Sequence, residues 1–265
     1  MSDTYEIAVR SLLHAFAWNP WFVNAYWPEN EPRVRVLVDS AVRAATADRP
    51  SLLEVGCATG HIAYLMRRCG FDVTAVDAYD DERRTDLFRA EGIAYRHTNL
   101  NDPLPLAEFP AGAFDVVVLG EVFEHILNQP LGLIESIHRI LAPGGTLLLT
   151  TPNPSTLANA WRLLLDRYVL WGTDDFVREA KFADGKIIDR GEVHYREYPA
   201  WLVRNLLMSA GFDVEPVQYV PTGIAPAHSA VKRVAKQLVR YAGLAGTRLF
   251  SPGYVLVARK ARSAS

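Results

Sequence analysis

Short apolar runs alternate with segments of helical periodicity along the middle of the chain. The runs predict strands at 51–55, 72–76, 94–98, 114–119 and 146–151. Between them, apolar residues at helical spacing predict helices, most clearly over 82–91 and 129–141. Because strands that alternate with helices build βαβ units, the pattern predicts an α/β fold with a parallel sheet and helices on both faces.

An aromatic-rich segment precedes the first strand. Six aromatic residues fall between positions 16 and 27, and apolar positions over 33–47 predict an amphipathic helix. We therefore divide the chain into an N-terminal helical and aromatic cap, residues 1–48, and a main domain, residues 49–265. Two interpretations of the aromatic segment stay open, a helix packed on the domain and a lid over a binding site.

Two insertions interrupt the pattern in the second half of the chain. Residues 155–193 combine a predicted helix with a polar loop. Residues 222–250 place basic residues between apolar ones, which suits a surface helix that touches lipid, a glycan or a partner, and equally suits a solvated helix face. Around these insertions the pattern predicts a helix over 199–210 and strands over 214–220 and 254–259.

Composition narrows the class of protein. The 265 residues suffice for one large domain, and a net charge of −2 gives no general attraction to nucleic acid or to a membrane. The two cysteines are too few for a disulfide framework, and we expect both to be reduced thiols. The N-terminus is unlike a signal peptide, and no apolar run reaches the roughly 18 residues of a membrane span. We expect a cytoplasmic protein without a nucleic-acid partner, and composition does not indicate its oligomeric state.

A glycine-containing loop follows the first predicted strand. The run is Glu54-Val55-Gly56-Cys57-Ala58-Thr59-Gly60, and a helical segment begins directly after it. A strand, a tight loop and a helix N-terminus form a common site for an anionic group. Ala58 replaces the middle glycine of the G-x-G-x-x-G motif, and no Gly-Lys-Ser/Thr follows, so neither a dinucleotide-binding motif nor a phosphate loop is indicated.

The order of the motifs resembles that of class I S-adenosylmethionine-dependent methyltransferases. The E-x-G-x-x-x-G loop resembles their first motif, and residues 114–121 match their fourth strand. The run Glu121-Val-Phe-Glu124-His125 is close to the E-x-x-E-H of the small-molecule subgroup that includes ubiquinone-biosynthesis-type O-methyltransferases. Residues 141–146 and 194–198 also look like that subgroup. The resemblance covers roughly residues 50–220 and implies a doubly wound, seven-stranded, mostly parallel Rossmann-like sheet whose last strand is inserted antiparallel.

The resemblance implies a binding site for S-adenosyl-L-methionine. Asp77 ends the second strand, about 20 residues beyond the loop, where an acidic residue accepts hydrogen bonds from ribose hydroxyls. Glu54 is expected to orient the loop or the methionine amine, and the region of Asn99 and Leu100 is expected to meet adenine. The full set of predicted cofactor-binding residues is Glu54, Gly56, Cys57, Gly60, Asp77, Ala78, Asn99, Leu100, Gly120 and Glu121.

The predicted reaction is an in-line methyl transfer from S-adenosylmethionine to a small molecule, most simply to a hydroxyl of a sugar, lipid-linked glycan, polyketide or quinone. A hydroxyl acceptor must lose its proton, and histidine suits that role near neutral pH. The catalytic candidates are His194, our first choice for the base, then His125, and then Glu121. The role of Glu121 stays open between catalysis, the cofactor and the substrate.

Other functions stay open at this point. The alternatives are N-methylation of a small amine and a non-catalytic scaffold that binds the cofactor. A nucleic-acid methyltransferase is a weaker rival, because Gly120-Glu121-Val122-Phe123 is not an Asp/Asn-Pro-Pro-Tyr-type motif. No cluster of histidine, cysteine and acidic residues has clear metal-ligand spacing, so we expect transfer without a metal.

Overall fold

A sheet of eight strands forms the centre of the molecule in the computed structural model, which describes residues 2–167, 181–183, 186–188, 194–226 and 228–262. The eight strands are β1 (Ser51–Val55), β2 (Asp72–Asp77), β3 (Ala94–His97), β4 (Phe114–Gly120), β5 (Leu141–Pro152), β8 (Phe212–Val214), β9 (Gln218–Val220) and β10 (Gly253–Lys260). Two further strands, β6 (Lys181–Ala183) and β7 (Lys186–Ile188), pair with each other antiparallel.

The strand order across the sheet is β3-β2-β1-β4-β5-β10-β8, with β9 also paired to β10. The pairs from β3 to β5 are parallel, whereas β10 runs antiparallel to β5, β8 and β9. The order therefore reverses between β1 and β4, which makes the sheet doubly wound. The predicted Rossmann-like sheet, mostly parallel with its last strand inserted antiparallel, is confirmed.

Two predicted strand boundaries are wrong. The single strand expected over 214–220 is two short strands, because Pro216 between them has no backbone N–H to donate to a ladder. Val214 pairs with Ala258, and Tyr219 pairs with Tyr254, so both short strands still pair with β10. Strand β5 begins at residue 141 rather than 146, and a shift in its register with β4 accommodates the extra residues.

Helices cover both faces of the sheet. They are α1 (Ser2–Ala15), α2 (Trp27–Ala44), α3 (His61–Arg68), α4 (Glu82–Glu91), α5 (Pro130–Ile140), α6 (Leu157–Leu164), α7 (Ala200–Ser209) and α8 (Ala230–Tyr241). Side chains alternate across each strand, so Val116 and Val118 of β4 share a core with α1, α2 and α3. Val117 and Leu119 share the opposite core with α5 and α7. None of the helices described here has the length and apolar character needed to cross a bilayer.

The N-terminal segment packs into the first of these cores. Tyr5, Leu12 and Phe16 are buried, and the Ser11 hydroxyl lies 2.7 Å from the Tyr64 hydroxyl of α3. A π-helical turn, Phe22–Tyr26, leads directly into α2, which begins at residue 27 instead of the predicted 33. Pro28 lies in the first turn of α2, where proline is favoured because backbone N–H groups at that position have no acceptor within the helix. The interpretation as a packed helix describes this arrangement, and closure of the segment as a lid stays a prediction.

The loop after β1 depends on glycine for two physical reasons. Gly56 and Gly60 have φ angles of +75° and +82°, which other residues rarely adopt. A Cβ atom at Gly56 would lie 2.4 Å from Cγ2 of Val122, and one at Gly60 would lie 2.6 Å from the ring of Phe88. The loop is therefore packed directly against the segment that follows β4.

Substitution of Gly56 by alanine should destabilise the fold more than the same change at Gly70. Both glycines have positive φ, so both variants meet backbone strain of about 1–2 kcal/mol. Only Gly56 has a close neighbour, and the collision with Val122 adds about 1–3 kcal/mol of overpacking. Urea unfolding of G56A, G70A and the double variant G56A/V122A measures the difference. Equal losses in the two single variants, or no partial recovery in the double variant, would contradict this account of the loop.

Candidate functional site

The carboxyl ends of three neighbouring strands meet at one edge of the sheet. The glycine loop leaves β1, Asp77 ends β2, and Glu121 follows β4. Parallel doubly wound sheets bind ligands at this edge, where the strand order reverses. The backbone N–H groups of Gly56 and Cys57 donate to the carbonyl of Val76 at 2.9 and 3.1 Å, which ties the loop to the end of β2.

Glu54 holds the glycine loop to the helix that follows it. Its carboxylate is buried, and Oε2 accepts a hydrogen bond of 2.8 Å from the backbone N–H of Ala63 in α3. Burial raises the pKa of Glu54 well above its ordinary value, and the hydrogen bond from Ala63 opposes that shift. Burial likewise raises the pKa of the Cys57 thiol, so this side chain is an unreactive part of the loop wall.

Asp77 organises the loop from the opposite side. Its Oδ2 accepts from the N–H of Ala58 at 2.7 Å, and its Oδ1 accepts from the N–H of Tyr79 at 2.9 Å. Arg84 of α4, which is buried, lies 3.8 Å from Oδ2 and donates to the carbonyls of Ala58 and Tyr79. Each carboxylate oxygen keeps a further acceptor position. Ala78 follows directly and is half-buried. Sequence reasoning missed Arg84, because an arginine in the first turns of a helix has no distinctive pattern.

The predicted adenine region lies beside the end of β2. The N–H of Thr98 donates to the carbonyl of Asp77 at 2.9 Å, which brings the chain after β3 to this edge. Leu100 is buried and offers an apolar wall, whereas Asn99 is exposed and its side chain accepts from the N–H of Asn101 at 3.0 Å. Gly120 ends β4, and a Cβ atom there would lie 3.4 Å from Ile62, so a larger side chain would crowd α3.

An ion pair between a buried arginine and a half-buried glutamate connects α2 to the end of β4. Arg33 is buried, lies 3.4 Å from Oε1 of Glu121, and donates to the Thr150 hydroxyl at 3.1 Å. Glu121 itself has a φ angle of +55°, a strained conformation for a residue with a side chain. Sequence reasoning placed Glu121 in the site but missed Arg33, which it assigned to the start of an amphipathic helix.

His61 lies on the same side, beneath the aromatic segment. Its ring stands edge-on to Phe22 and Tyr26, with centroid distances of 5.7 and 5.3 Å, and its Nδ1 lies 2.9 Å from the Thr59 hydroxyl. Burial, followed by the positive charge of Arg33, lowers the pKa of His61 to about 3. This imidazole is therefore neutral at physiological pH, and the aromatic segment packs on the first turn of α3.

A second acidic side chain, Glu124, is enclosed next to two histidines. Its Oε2 accepts from the Thr151 hydroxyl at 2.8 Å, and its Oε1 has no hydrogen-bond partner among the residues described. Oε1 lies 3.9 Å from Nε2 of His194, whose ring is 5.0 Å from that of His125. Burial, and then the charge of Glu121, raise the pKa of Glu124 well above its ordinary value. We refer to Glu124, His125 and His194 as the Glu-His-His cluster.

Backbone hydrogen bonds bring His194 to this cluster from a distant part of the chain. The N–H groups of Tyr195 and Arg196 donate to the carbonyl of Glu124 at 3.0 and 3.4 Å. Nδ1 of His194 lies 2.9 Å from Oε1 of Glu197, which fixes the orientation of the ring. One oxygen of Glu124 and one ring nitrogen from each histidine lie within 4.8 Å of one another. Sequence spacing did not reveal it, because the third member is far from the other two.

The insertion over 222–250 contains an amphipathic helix mounted with its polar side toward the protein. Lys236 and Lys232 of α8 contact Oε1 of Glu29 at 2.8 and 3.2 Å, and His228 contacts its Oε2 at 3.1 Å. Burial alone would raise the pKa of Glu29, but these partners lower it to about 2. The opposite face exposes its large apolar side chains, which are Val231, Val234, Leu238 and Tyr241.

The other insertion, predicted over 155–193, is described only in part. Residues 168–180, 184–185 and 189–193 lie outside the described residues.

Comparisons with known proteins identify the family. A family model described as a methyltransferase domain matches residues 27–216. A ubiquinone biosynthesis O-methyltransferase of Psychrobacter arcticus is 29% identical over 183 residues, which cover 64% of this chain and 63% of that protein. The chain thus aligns with less than two thirds of the length of this relative.

Solved structures share the fold at low identity. The Burkholderia thailandensis 1,6-didemethyltoxoflavin-N1-methyltransferase is 16% identical, with a TM-score of 0.56 over 97% of this chain and 89% of that one. The [4+2]-cyclase SpnF is 18% identical, with a TM-score of 0.54 over 87% of this chain and 81% of that one. The predicted resemblance to S-adenosylmethionine-dependent methyltransferases is confirmed, and the chain belongs to the methyltransferase-domain family.

Proposed function

We propose that this protein transfers the methyl group of S-adenosylmethionine to a hydroxyl of a small molecule. The observation that carries the proposal is the Glu-His-His cluster, two members of which, Glu124 and His125, lie on the segment that packs against the glycine loop through Val122 and Gly56. The family supplies a methyl-transfer fold, and the cluster supplies groups that remove a proton. The relative named for ubiquinone biosynthesis O-methylation supports oxygen as the acceptor atom.

The cofactor has a defined place in this proposal. The backbone of the Gly56–Gly60 loop would hold its methionine end, the remaining acceptor positions of Asp77 would hold its ribose hydroxyls, and Leu100 would line the adenine region. Arg84 and Glu54 hold the two sides of the loop and so act as positioning residues. The ion pair of Arg33 and Glu121 lies next to Gly120 and would border the site there.

The methyl group on a sulfonium is strongly electrophilic, so the protein must mainly orient the acceptor in line with the carbon–sulfur bond. Orientation of two reactants contributes as much as about 7–11 kcal/mol in favourable systems. An alcohol is a weak nucleophile until its proton leaves, and a positioned acid–base group contributes about 10²–10⁴-fold. His194 is the group we place at the proton, because Glu197 engages its Nδ1 and leaves Nε2 facing the cluster. Sugars, lipid-linked glycans, polyketides and quinones carry hydroxyls that fit this chemistry.

Replacement of Asp77 by asparagine should weaken binding of S-adenosylhomocysteine about tenfold or more. Hydrogen bonds to a charged group are worth about 1.5–3 kcal/mol, and the amide also loses the acceptor for Ala58 in one of its two orientations. Calorimetry measures the affinity, and thermal unfolding verifies the fold. D72N, on the exposed start of the same strand, is the matched control. Unchanged affinity in a folded D77N protein would remove Asp77 from the cofactor site.

Replacement of His194 by alanine should lower turnover by about two to four orders of magnitude while cofactor affinity is nearly kept. Single-turnover methylation with labelled cofactor, against hydroxyl-bearing extracts or model acceptors, measures the rate. The exposed His14 of α1 provides a control variant, H14A. H125A should show a smaller loss. Full turnover in both H194A and H125A would exclude both histidines as the base. It would leave either Glu121 as the base or a nucleophile that needs none, as in N-methylation of a small amine.

We also propose that α8 rests on an anionic lipid surface. Its polar side is clamped to the protein through Glu29, while Val231, Val234 and Leu238 face outward with 80, 53 and 62% of their surface exposed. An amphipathic helix with basic residues on its polar side and exposed apolar residues on the other is the arrangement of helices that lie in a membrane interface. Besides the lysines at Glu29, the basic residues of α8 are Arg233 and Arg240, which donate to the carbonyls of Pro226 and Thr222.

Flotation with phosphatidylglycerol vesicles tests this contact. Wild-type protein should float with the vesicles, and V234E/L238E should not, because two carboxylates on the apolar face oppose insertion and are repelled by the lipid. Q237E adds a negative charge beside that face and should retain most binding. Flotation of V234E/L238E equal to wild type, or absence of wild-type flotation, would remove α8 as a lipid contact, and concentration-dependent dimerisation lost in V234E/L238E would assign the face to a second copy of the chain.

A further inference from the structure

We propose that a short aromatic loop controls the rate at which the cofactor enters and leaves its site. The loop comprises residues 17–21, between α1 and the π-helical turn, and we refer to it as the aromatic loop. Its catch is the contact of Trp18 with Arg83, in which the guanidinium carbon lies 4.2 Å from the centroid of the indole ring. The inference rests on the cofactor site of the proposed function and is independent of the identity of the acceptor.

Buried aromatic side chains anchor both ends of the aromatic loop. Phe16 and Phe22 are 3% and 0% exposed, and their rings stack with a centroid distance of 4.5 Å. Between these anchors, Trp18 and Trp21 expose 52% and 62% of their surface. Side chains that stay in contact with water gain less from burial, so the aromatic loop is held less firmly than its two ends.

The backbone of the aromatic loop is bonded locally. The N–H of Asn19 donates to the carbonyl of Phe16 at 2.9 Å, and its side-chain Oδ1 accepts from the N–H of Phe22 at 3.0 Å. These bonds shape the turn without attaching it to the sheet. The contacts described here that join this part of the chain to α3 and α4 are between side chains, and they can separate without the loss of a strand or a helix.

The aromatic loop connects the starts of the two helices that border the cofactor site. Phe22, directly after the loop, stands edge-on to His61, the first residue of α3. Trp18 contacts Arg83 in the first turn of α4. The glycine loop leads into α3, and the chain that leaves Asp77 leads into α4. In this proposal the cofactor passes between these helix starts, and the aromatic loop must move aside to admit it.

The contact of Trp18 with Arg83 has the strength expected of a reversible catch. A guanidinium over an exposed indole ring contributes about a 2–5-fold change in an equilibrium or a rate. The ring of Phe16 stacks on that of Trp18 at a centroid distance of 6.4 Å and so orients the indole toward α4. Such a contact prolongs the closed state without preventing loop motion, which is fast compared with domain motion.

A catch and a ligand contact leave different kinetic signatures. A contact between two parts of the protein that is the same in the empty and the filled site slows entry and release equally. Its loss therefore changes both rate constants and leaves Kd unchanged. A side chain that touches the cofactor holds only the bound state, so its loss raises the release rate and Kd. A packing contact with neither role changes neither rate constant.

Surface plasmon resonance of S-adenosylhomocysteine on the immobilised, full-length protein measures both rate constants, and calorimetry measures Kd in solution. We expect W18A and R83A each to raise both rate constants by the same factor, about 2–5-fold, with Kd unchanged. The double variant W18A/R83A should be no faster than the faster single variant, because either change already removes the contact. R83K keeps the cation and should fall between R83A and wild type.

The matched controls are W201A and R89A. Trp201 of α7 is 63% exposed, and Arg89 is an exposed arginine on the same helix as Arg83, paired with Asp86 at 2.6 Å. Both controls should keep the wild-type rate constants, because neither side chain belongs to the aromatic loop or its catch. Thermal unfolding verifies that every variant is folded.

Three results would overturn the catch alone. They are unchanged rate constants in both W18A and R83A, a higher release rate and Kd at a constant association rate, and equal effects in the controls. If wild-type protein binds no S-adenosylhomocysteine, the cofactor site and the catch fail together. If cofactor exchange responds as expected but no hydroxyl compound is methylated, the catch stands and only the proposed reaction must be reassigned.

Discussion

The parallel pairing of β1 with β2 on one side and β4 on the other is the constraint on which the site depends. Leu53 of β1 is in register with Thr74 and with Val117, so the three strands end at nearly the same level. Every group proposed to bind the cofactor leaves the sheet at that level or is held there by a hydrogen bond. Strand β1 is almost wholly buried, and a slip of one residue would exchange its two faces between the cores. The register of β1 with its neighbours is therefore strongly specified, and this register fixes where the glycine loop leaves the sheet.

Buried charge is distributed unevenly around this edge. The opposite charges of Arg33 and Glu121 neutralise each other. The negative charge of Asp77 is stabilised by two backbone N–H groups and by the nearby Arg84. Glu124 has less compensation, because Thr151 satisfies only one of its oxygens. A protein that keeps an enclosed, partly satisfied carboxyl group bears a stability cost that an apolar residue would avoid. Perturbed titrating groups of this kind concentrate at functional sites, which is consistent with a chemical role for the cluster.

The sequence predicted what depends on local pattern. Apolar runs and glycine spacing were sufficient for β1, the loop, Asp77 and most of the sheet, because strand periodicity and positive-φ turns are encoded within a few residues. Arg33, His61 and Arg84 were missed, since each lies on a helix whose residues have no motif and reaches the site only through tertiary packing. Pro216 was visible in the sequence, and its missing N–H was sufficient reason to divide the strand predicted over 214–220.

Proteins that share this fold carry out different reactions. A methyltransferase of nitrogen and a [4+2]-cyclase share the architecture at similar TM-scores, so the sheet alone does not select the reaction. In this protein the side chains proposed to act on the acceptor come from two segments, the turn after β4 and the chain before α7. The two segments are joined by hydrogen bonds from the N–H groups of Tyr195 and Arg196 to the carbonyl of Glu124. In the proposed function, the chemistry therefore depends on a contact between two segments that are distant along the chain, whereas the sheet depends on neither of them.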